Sequence, residues 1–272
     1  MAVPRDPYEG QRLVNYTVKE GVALIELANP PANTYSHTMF KQIDEAILQA
    51  RFDPEVAVMV ITGSGEKFFS AGADIKYLQA ITGDYKFCFC LHANETLLRL
   101  EQTPKLVIAA INGHCVGGGL EIAMACDLRF ARKDGGKIGL PEVNLGVLPG
   151  TGGTQRLVRI LGKSRAIEWM TTGKNYTFEE AREAGVLNDI WEGNTEEFKA
   201  QALEYARQFC PPNKASKSVG LIKRACQTGA EVGLQDALAL ERELQQQLFI
   251  SEDAKEGINA YNEKRTAKFK GR

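Results

Sequence analysis

Two glutamates stand in settings suited to acid/base chemistry. Glu121 follows a glycine triplet in Gly117-Gly118-Gly119-Leu120-Glu121, and Glu142 follows Pro141 and precedes a second cluster, Gly150-Thr151-Gly152-Gly153. A glycine triplet lets backbone N–H groups come close to a ligand, because no Cβ blocks the approach. Carboxylates take and deliver protons, and amides aimed at developing negative charge stabilise it. The combination points to an enzyme.

Two familiar uses of glycine-rich turns fit poorly. A dinucleotide site needs G-x-G-x-x-G after a strand, but Ile122 occupies the place of the third glycine, and Gly150-Thr151-Gly152-Gly153-Thr154-Gln155 fails as well. Neither cluster ends in the Gly-Lys-Ser/Thr of a phosphate-binding loop. An oxyanion hole fits better. Gly118 would give one N–H at the positive end of a helix starting near Gly119, and Ala73, in Ala71-Gly72-Ala73-Asp74, would give another. Such donors polarise a thioester carbonyl and stabilise an enolate. On these residues alone, glycines that only permit tight packing remain the competing explanation.

The elements that must position these groups can be read from periodicity. Val14–Val18 and Val22–Leu27 read as strands around the Glu20-Gly21 turn, and Asn29-Pro30-Pro31 breaks the chain. Ser36 is a candidate cap for a helix to about Arg51, with Met39, Ile43, Ile47 and Leu48 on one face. Val56–Thr62 and Leu106–Ile111 are apolar enough for buried strands. Phe68–Asp74 reads as a short strand turning into a helix, Asp84–Leu100 as a helix stopped by Pro104, Leu120–Ala125 as a helix and Asp127–Ala131 as a strand. Beyond Glu142 helical signals dominate: Thr177-x-x-Glu180 spells a capping box, Asn194 is a second cap, and Pro211-Pro212 marks a break. Residues 215–262 predict two or three amphipathic helices without strands.

Composition narrows the function classes. The 272 residues suffice for one large domain, or one with a smaller appendage, and a net charge of −1 gives no reason to expect nucleic acid or an anionic membrane as partner. Six cysteines show no CxxC pair, and three histidines no metal-binding spacing, so reduced cysteines and no metal are expected. The first ten residues hold Asp6 and Glu9 and no apolar core of a signal peptide, and no apolar run reaches the ~18 residues of a membrane span, so a cytoplasmic location is expected. The basic run from Lys264 to Arg272 is either a solvated tail or a contact for an anionic ligand.

Several motifs, in order, resemble the enoyl-CoA hydratase/isomerase (crotonase) family. They are Ser70-Ala71-Gly72-Ala73-Asp74-Ile75-Lys76, Ile108-Ala109-Ala110-Ile111-Asn112-Gly113, Gly117-Gly118-Gly119-Leu120-Glu121, Pro141-Glu142-Val143, Gly150-Thr151-Gly152-Gly153-Thr154-Gln155-Arg156-Leu157 and Glu263-Lys264-Arg265. The resemblance runs from about Val14 to Lys270 and is closest to the hydratases. It implies an α/β fold, a spiral of ββα units over residues 1–210 that binds acyl-CoA, followed by a helical trimerisation region over 211–272. It further implies a trimer or dimer of trimers, and no cofactor, because coenzyme A arrives as part of the substrate.

By motif position, the amides of Ala73 and Gly118 would hold the thioester oxygen. Glu121 would deprotonate the water that attacks C3, and Glu142 would protonate C2. Ala71, Asp74, Ile75, Lys76, Gly117 and Gly150 fall at substrate- or CoA-binding positions, with Lys268 and Phe269 reaching CoA across a subunit interface. Double-bond isomerases of the family often keep one of the two glutamates. Its dienoyl isomerases carry an aspartate where this chain has Gly150, and no Asp occurs between Val143 and Gly153, which also departs from the dehalogenases. Hydratase is the best match; isomerase activity from the same carboxylates, and a non-catalytic binding protein, are the alternatives. The Asn29–Thr34 loop lacks the lysine of many hydratases, so mainly backbone contacts are expected from it. Tyr85, Phe87, Phe89 and Leu91 fall where the family lines its acyl pocket, although a core-facing helix would explain them equally.

Overall fold

Apolar strands buried on both faces define the centre of the molecule in the computed structural model, which describes residues 6–272. The strands are β1 (Val14–Lys19), β2 (Val22–Leu27), β3 (Val58–Gly63), β4 (Phe68–Ser70), β5 (Leu106–Ile111), β6 (His114–Val116), β7 (Leu128–Arg132), β8 (Lys137–Gly139), β9 (Tyr176–Thr177) and β10 (Asp189–Trp191). The helices are α1 (His37–Phe52), α2 (Ile75–Ala80), α3 (Gly83–Gln102), α4 (Gly118–Met124), α5 (Gly153–Leu161), α6 (Lys163–Thr172), α7 (Phe178–Glu183), α8 (Thr195–Arg207), α9 (Ser216–Gly229), α10 (Leu234–Phe249) and α11 (Glu252–Asn262). A 3-10 turn covers Glu142–Leu145.

Two sheets share these strands. One runs β1-β2-β3-β5-β7-β10, and the smaller runs β4-β6-β8-β9. Successive pairs β3/β4, β5/β6 and β7/β8 each give one strand to either sheet, and the first two lead into α2 and α4. This is the spiral of ββα units that the motifs implied. In the larger sheet β2, β3, β5, β7 and β10 pair in parallel, with Leu24 opposite Val60 and Val60 opposite Ile108. Alternation explains why β3 and β5 read as unbroken apolar runs. Met59, Ile61, Val107 and Ala109 enter the main core, whereas Val58, Val60, Leu106 and Ile108 join Phe198, Ala202 and Ala206 of α8 on the other face.

The expected ends of β2 and β5 match, the predicted capping box forms at Thr177/Glu180, and the predicted cap Asn194 forms a second box with Glu197. After the Pro211-Pro212 break the chain is helical through α9, α10 and α11. Some expectations need correction. Ser36 occupies the N-cap position of α1, but its hydroxyl is buried without a partner; the Thr38 amide instead donates to Asp6 at 2.8 Å. β6, β8, β9 and β10 escaped the sequence reading, because at two or three residues each they are too short for any alternation to register. Of Tyr85, Phe87, Phe89 and Leu91 on α3, only Phe89 is fully buried, among Tyr35, Phe40 and Tyr77, while Phe87 and Leu91 are exposed. The reading of the first ten residues rests partly on residues 1–5, which lie outside the described residues. Among the described residues no helix is long and apolar enough to cross a membrane.

Candidate active site

Two strand-to-helix turns, one from each of two consecutive ββα units, form the floor of the site. In the first, between β4 and α2, the Ser70 hydroxyl accepts from the Gly72 amide at 3.1 Å and donates to the Asn33 carbonyl at 2.7 Å. The neighbouring segment pairs in parallel with it: the Tyr35 amide donates to the Gly72 carbonyl and the Asp74 amide to the Tyr35 carbonyl, each at 2.9 Å. That register skips the Ala73 amide. Asp74 caps α2 by accepting from the Tyr77 amide at 3.0 Å, and also accepts a hydrogen bond from the Tyr8 hydroxyl.

The second turn joins β6 to α4. Gly117 adopts φ 57°, a left-handed conformation that favours glycine, and its amide is tied to the Gly139 carbonyl at 2.9 Å. Gly118 then opens α4, so its N–H has no carbonyl behind it in the helix. A Cβ built on Gly72 would lie 2.8 Å from the Gly118 nitrogen, which shows how closely the turns abut. Among the described residues neither the Ala73 nor the Gly118 amide has a backbone or side-chain acceptor. A side chain at Gly118 is excluded on the opposite side, where its Cβ would fall 1.7 Å from the Tyr35 hydroxyl oxygen.

One turn further along α4, Glu121 is buried, with 1% of its surface exposed. Its Oε1 accepts from the amides of Thr151 and Gly153, both at 2.7 Å, so the second glycine cluster serves as a cradle for this carboxylate. Arg156 secures the cradle by bonding the Thr151 carbonyl at 3.2 Å and clamping Glu101 with bonds of 2.8 and 2.7 Å. Glu142 begins the 3-10 turn opposite. Its Oε1 lies 3.2 Å from where a Cβ on Gly117 would sit, and its Oε2 is buried without a hydrogen-bond partner.

These environments differ electrostatically. Burial, then the charge of Glu121, pushes the Glu142 carboxyl up to about 7. Burial also raises Glu121, but the Gly153 and Thr151 amides and the Arg156 charge oppose it. Burial thus favours the protonated form of both, and only Glu121 has amide donors that favour its ionised form. One carboxylate braced by donors beside one carboxyl with an unpartnered oxygen can pass a proton in and another out.

Both glutamates line one cavity of about 480 Å³, together with Ala71, Ala73, Ile75, Gly117, Gly118 and Gly150. Four other candidates lie elsewhere. Asp74 caps α2, and Lys76 is exposed outside the cavity. Within one chain Lys268 and Phe269 are held against the C-terminal segment, their amides donating to Glu256 at 2.9 Å and to the Pro212 carbonyl at 3.1 Å. The cavity also recruits Tyr35, Leu78, Lys86, Asn144, Leu145, Val147, Leu148 and Thr151. Of the α3 residues it uses Lys86 rather than the four predicted ones. Tyr35 had no motif to betray it. Leu145, Val147 and Leu148 are largely exposed, an apolar rim at the end of, and just after, the 3-10 turn that carries Glu142.

Residues 17–272 match the enoyl-CoA hydratase/isomerase family, and the chain belongs to it. Among similar proteins, the probable enoyl-CoA hydratase of Bacillus subtilis is 37% identical over 259 residues, covering 95% of this chain and 98% of that protein. The short-chain-enoyl-CoA hydratase of Clostridium acetobutylicum is 38% identical over 249 residues, 91% of this chain and 94% of the relative. The crystal structure of an enoyl-CoA hydratase from Geobacillus kaustophilus HTA426 superposes with a TM-score of 0.93 at 45% identity, covering 96% of this chain and 98% of that one.

Proposed function

We propose that this protein is an enoyl-CoA hydratase, which adds water across the 2,3 double bond of a 2-enoyl-CoA thioester to give a 3-hydroxyacyl-CoA. The observation that carries the reading is the asymmetric carboxyl pair in one cavity: Glu121 braced by two amides, and Glu142 with a buried, unpartnered oxygen. The family and the names of the relatives support it.

In this reading the thioester oxygen sits between the Ala73 and Gly118 amides. Glu121 takes a proton from water as the water oxygen bonds to C3, and the π electrons move toward the thioester to leave an enolate on that oxygen. The enolate collapses as C2 takes the Glu142 proton. Passing the proton from Glu121 back to Glu142, directly or through the next water, restores the starting state. Both amides are spared from other bonds, so they face the oxyanion without first having to break one.

Lys86 at the cavity wall and the exposed Lys76 supply charge for the CoA phosphates, with Lys268 and Phe269 contributed across a subunit interface. The assembly is a homotrimer or dimer of trimers, supported by exposed Ile222, Leu234, Leu238, Phe249 and Ile250 on and just after α9 and α10. No cofactor beyond the substrate's own CoA is invoked, neither nucleic acid nor membrane is a partner, and the location is the cytoplasm.

The test is the ultraviolet loss of the conjugated thioester over a panel of short, medium, branched and cyclic 2-enoyl-CoAs. Turnover should fall by at least ~10² in Glu121→Gln and in Glu142→Gln. Inactivity of the parent on the whole panel, or near-parental rates in both variants, would refute the assignment. Some relatives are named hydratase/isomerase, so 3-enoyl-CoAs belong in the panel to detect proton transfer between C2 and C4.

A further inference from the structure

A second cavity adjoins the one that holds the two glutamates. The catalytic cavity has about 480 Å³ and its neighbour about 550 Å³, and Leu148 and Gly150 line both, so this stretch of chain is a common wall. Helix α3 also borders both. Lys86 lines the catalytic cavity, whereas Asn94 and Leu98 line the second. Residues four apart fall on one face of a helix, and Cys90 is the member of this stripe that lines neither cavity. It stands between Lys86 and Asn94, about 6 Å from each along the helix axis.

Cys90 meets the common wall at Gly150. A Cβ built on Gly150 would lie 3.2 Å from the Cys90 Sγ, and apart from its chain neighbours no other residue has a heavy atom within 4 Å of it. Gly150 is not in the left-handed region, so what its missing side chain supplies is space. The course of an acyl chain leads to this point. Its thioester carbon sits at the Ala73 and Gly118 amides and C3 beside Glu121, whose carboxylate accepts from the Thr151 amide at 2.7 Å. Gly150 is the next residue along that wall, so carbons beyond C3 run toward Gly150 and the thiol that faces it.

We propose, on the hydratase reading, that Cys90 sets the length of acyl group this protein accepts: its thiol against Gly150 closes the catalytic cavity around short 2-enoyl groups, and its removal joins that cavity to the second one. The second cavity can house the added length of a neutral chain. The four charged groups that line it are closed in pairs, Arg156 with Glu101 at 2.7 Å and Arg159 with Glu231 at 2.6 Å, and Leu98, Leu148 and Pro149 supply apolar wall.

The test measures kcat/KM for crotonyl-CoA and for 2-octenoyl-CoA in the parent, Cys90→Ala and Cys90→Leu. The octenoyl-to-crotonyl ratio is taken within each protein, so a general loss of activity cancels. The parent should favour crotonyl-CoA. A hydrophobic site discriminates roughly 10–200-fold for a methylene, so the ratio should rise at least ~10-fold in Cys90→Ala, and it should fall in Cys90→Leu. Gly150→Ala should lower the ratio in the parent and lower it by a smaller factor in Cys90→Ala, because its new methyl group meets that thiol. A parent that prefers 2-octenoyl-CoA, an unchanged ratio in Cys90→Ala, or a Gly150→Ala effect of equal size in both backgrounds overturns the proposal. If the parent hydrates neither thioester, the hydratase reading fails by itself. The waist is then judged by calorimetry with butyryl-CoA and octanoyl-CoA: octanoyl-CoA binding that tightens relative to butyryl-CoA in Cys90→Ala supports it, and a Kd ratio equal to the parent's refutes it.

Discussion

Replacing Glu142 by glutamine should make the protein more stable at neutral pH than at acid pH relative to its parent. In the folded chain the Glu142 carboxyl titrates at about 7, against 4.5 for an ordinary glutamate, because burial and the nearby Glu121 charge disfavour its ionised form. The sign follows from proton counting. Between 4.5 and 7 the native state keeps a proton that the unfolded chain has released, so stability falls as pH rises through that window. Glutamine has no proton to lose and escapes the penalty. The full shift corresponds to roughly 3 kcal/mol. Glu142 is only partly buried at the cavity wall, and solvent screening reduces the expected gain to about 1–2 kcal/mol. Urea unfolding of parent and variant at matched protein concentration, from pH 4.5 to about pH 8, measures the difference while cancelling every titration the two share. The advantage of Glu142→Gln should grow from near zero and level off above 7. A difference that is flat across the range, or one in which the parent gains as pH rises, would refute the assigned environment.

Other expectations concern the same architecture. The hydration rate should decline as pH rises through about 7, where Glu142 loses the proton it must deliver, and stopped assays across the range would show it. Gly118→Ala should be destabilising by about 1–3 kcal/mol or more and nearly inactive, because its Cβ would fall 1.7 Å from the Tyr35 oxygen beside the oxyanion amide; an active variant of parental stability contradicts that packing. Arg156→Gln should cost roughly 3–5 kcal/mol in urea unfolding by stranding the buried Glu101 charge, and the double variant Glu101→Gln/Arg156→Gln should recover much of the loss. Lys86→Glu should raise KM for acyl-CoA while leaving kcat nearly unchanged, since Lys86 lines the cavity and is not among the groups that shift either carboxyl; a fall in kcat alone would place it in the chemistry instead.

Local chemistry made much of this protein legible from the residues. The apolar runs of β2, β3 and β5 have to be buried strands wherever they lie, Thr177 and Asn194 cap helices with residues three positions on, and a glycine triplet ahead of a helix frees an amide by geometry internal to the turn. The two glutamates were identifiable for the same reason, because each sits in a motif a few residues long. Other features depend on partners far away in the chain. Apart from β4, the strands of the small sheet are too short to show a period and exist because neighbours such as Cys115 and Ile138 meet across it. The fixing of Tyr35 needs Gly118 and Thr151, more than eighty and a hundred residues on. The difference between the carboxyls is likewise tertiary: both are glutamates in glycine-flanked motifs, and only packing gives one two amide donors and leaves the other an unpartnered oxygen. The sequence by itself determined which groups could do the chemistry. The tertiary structure decided how each carboxyl is surrounded, because desolvation and hydrogen bonding act through space and not along the chain.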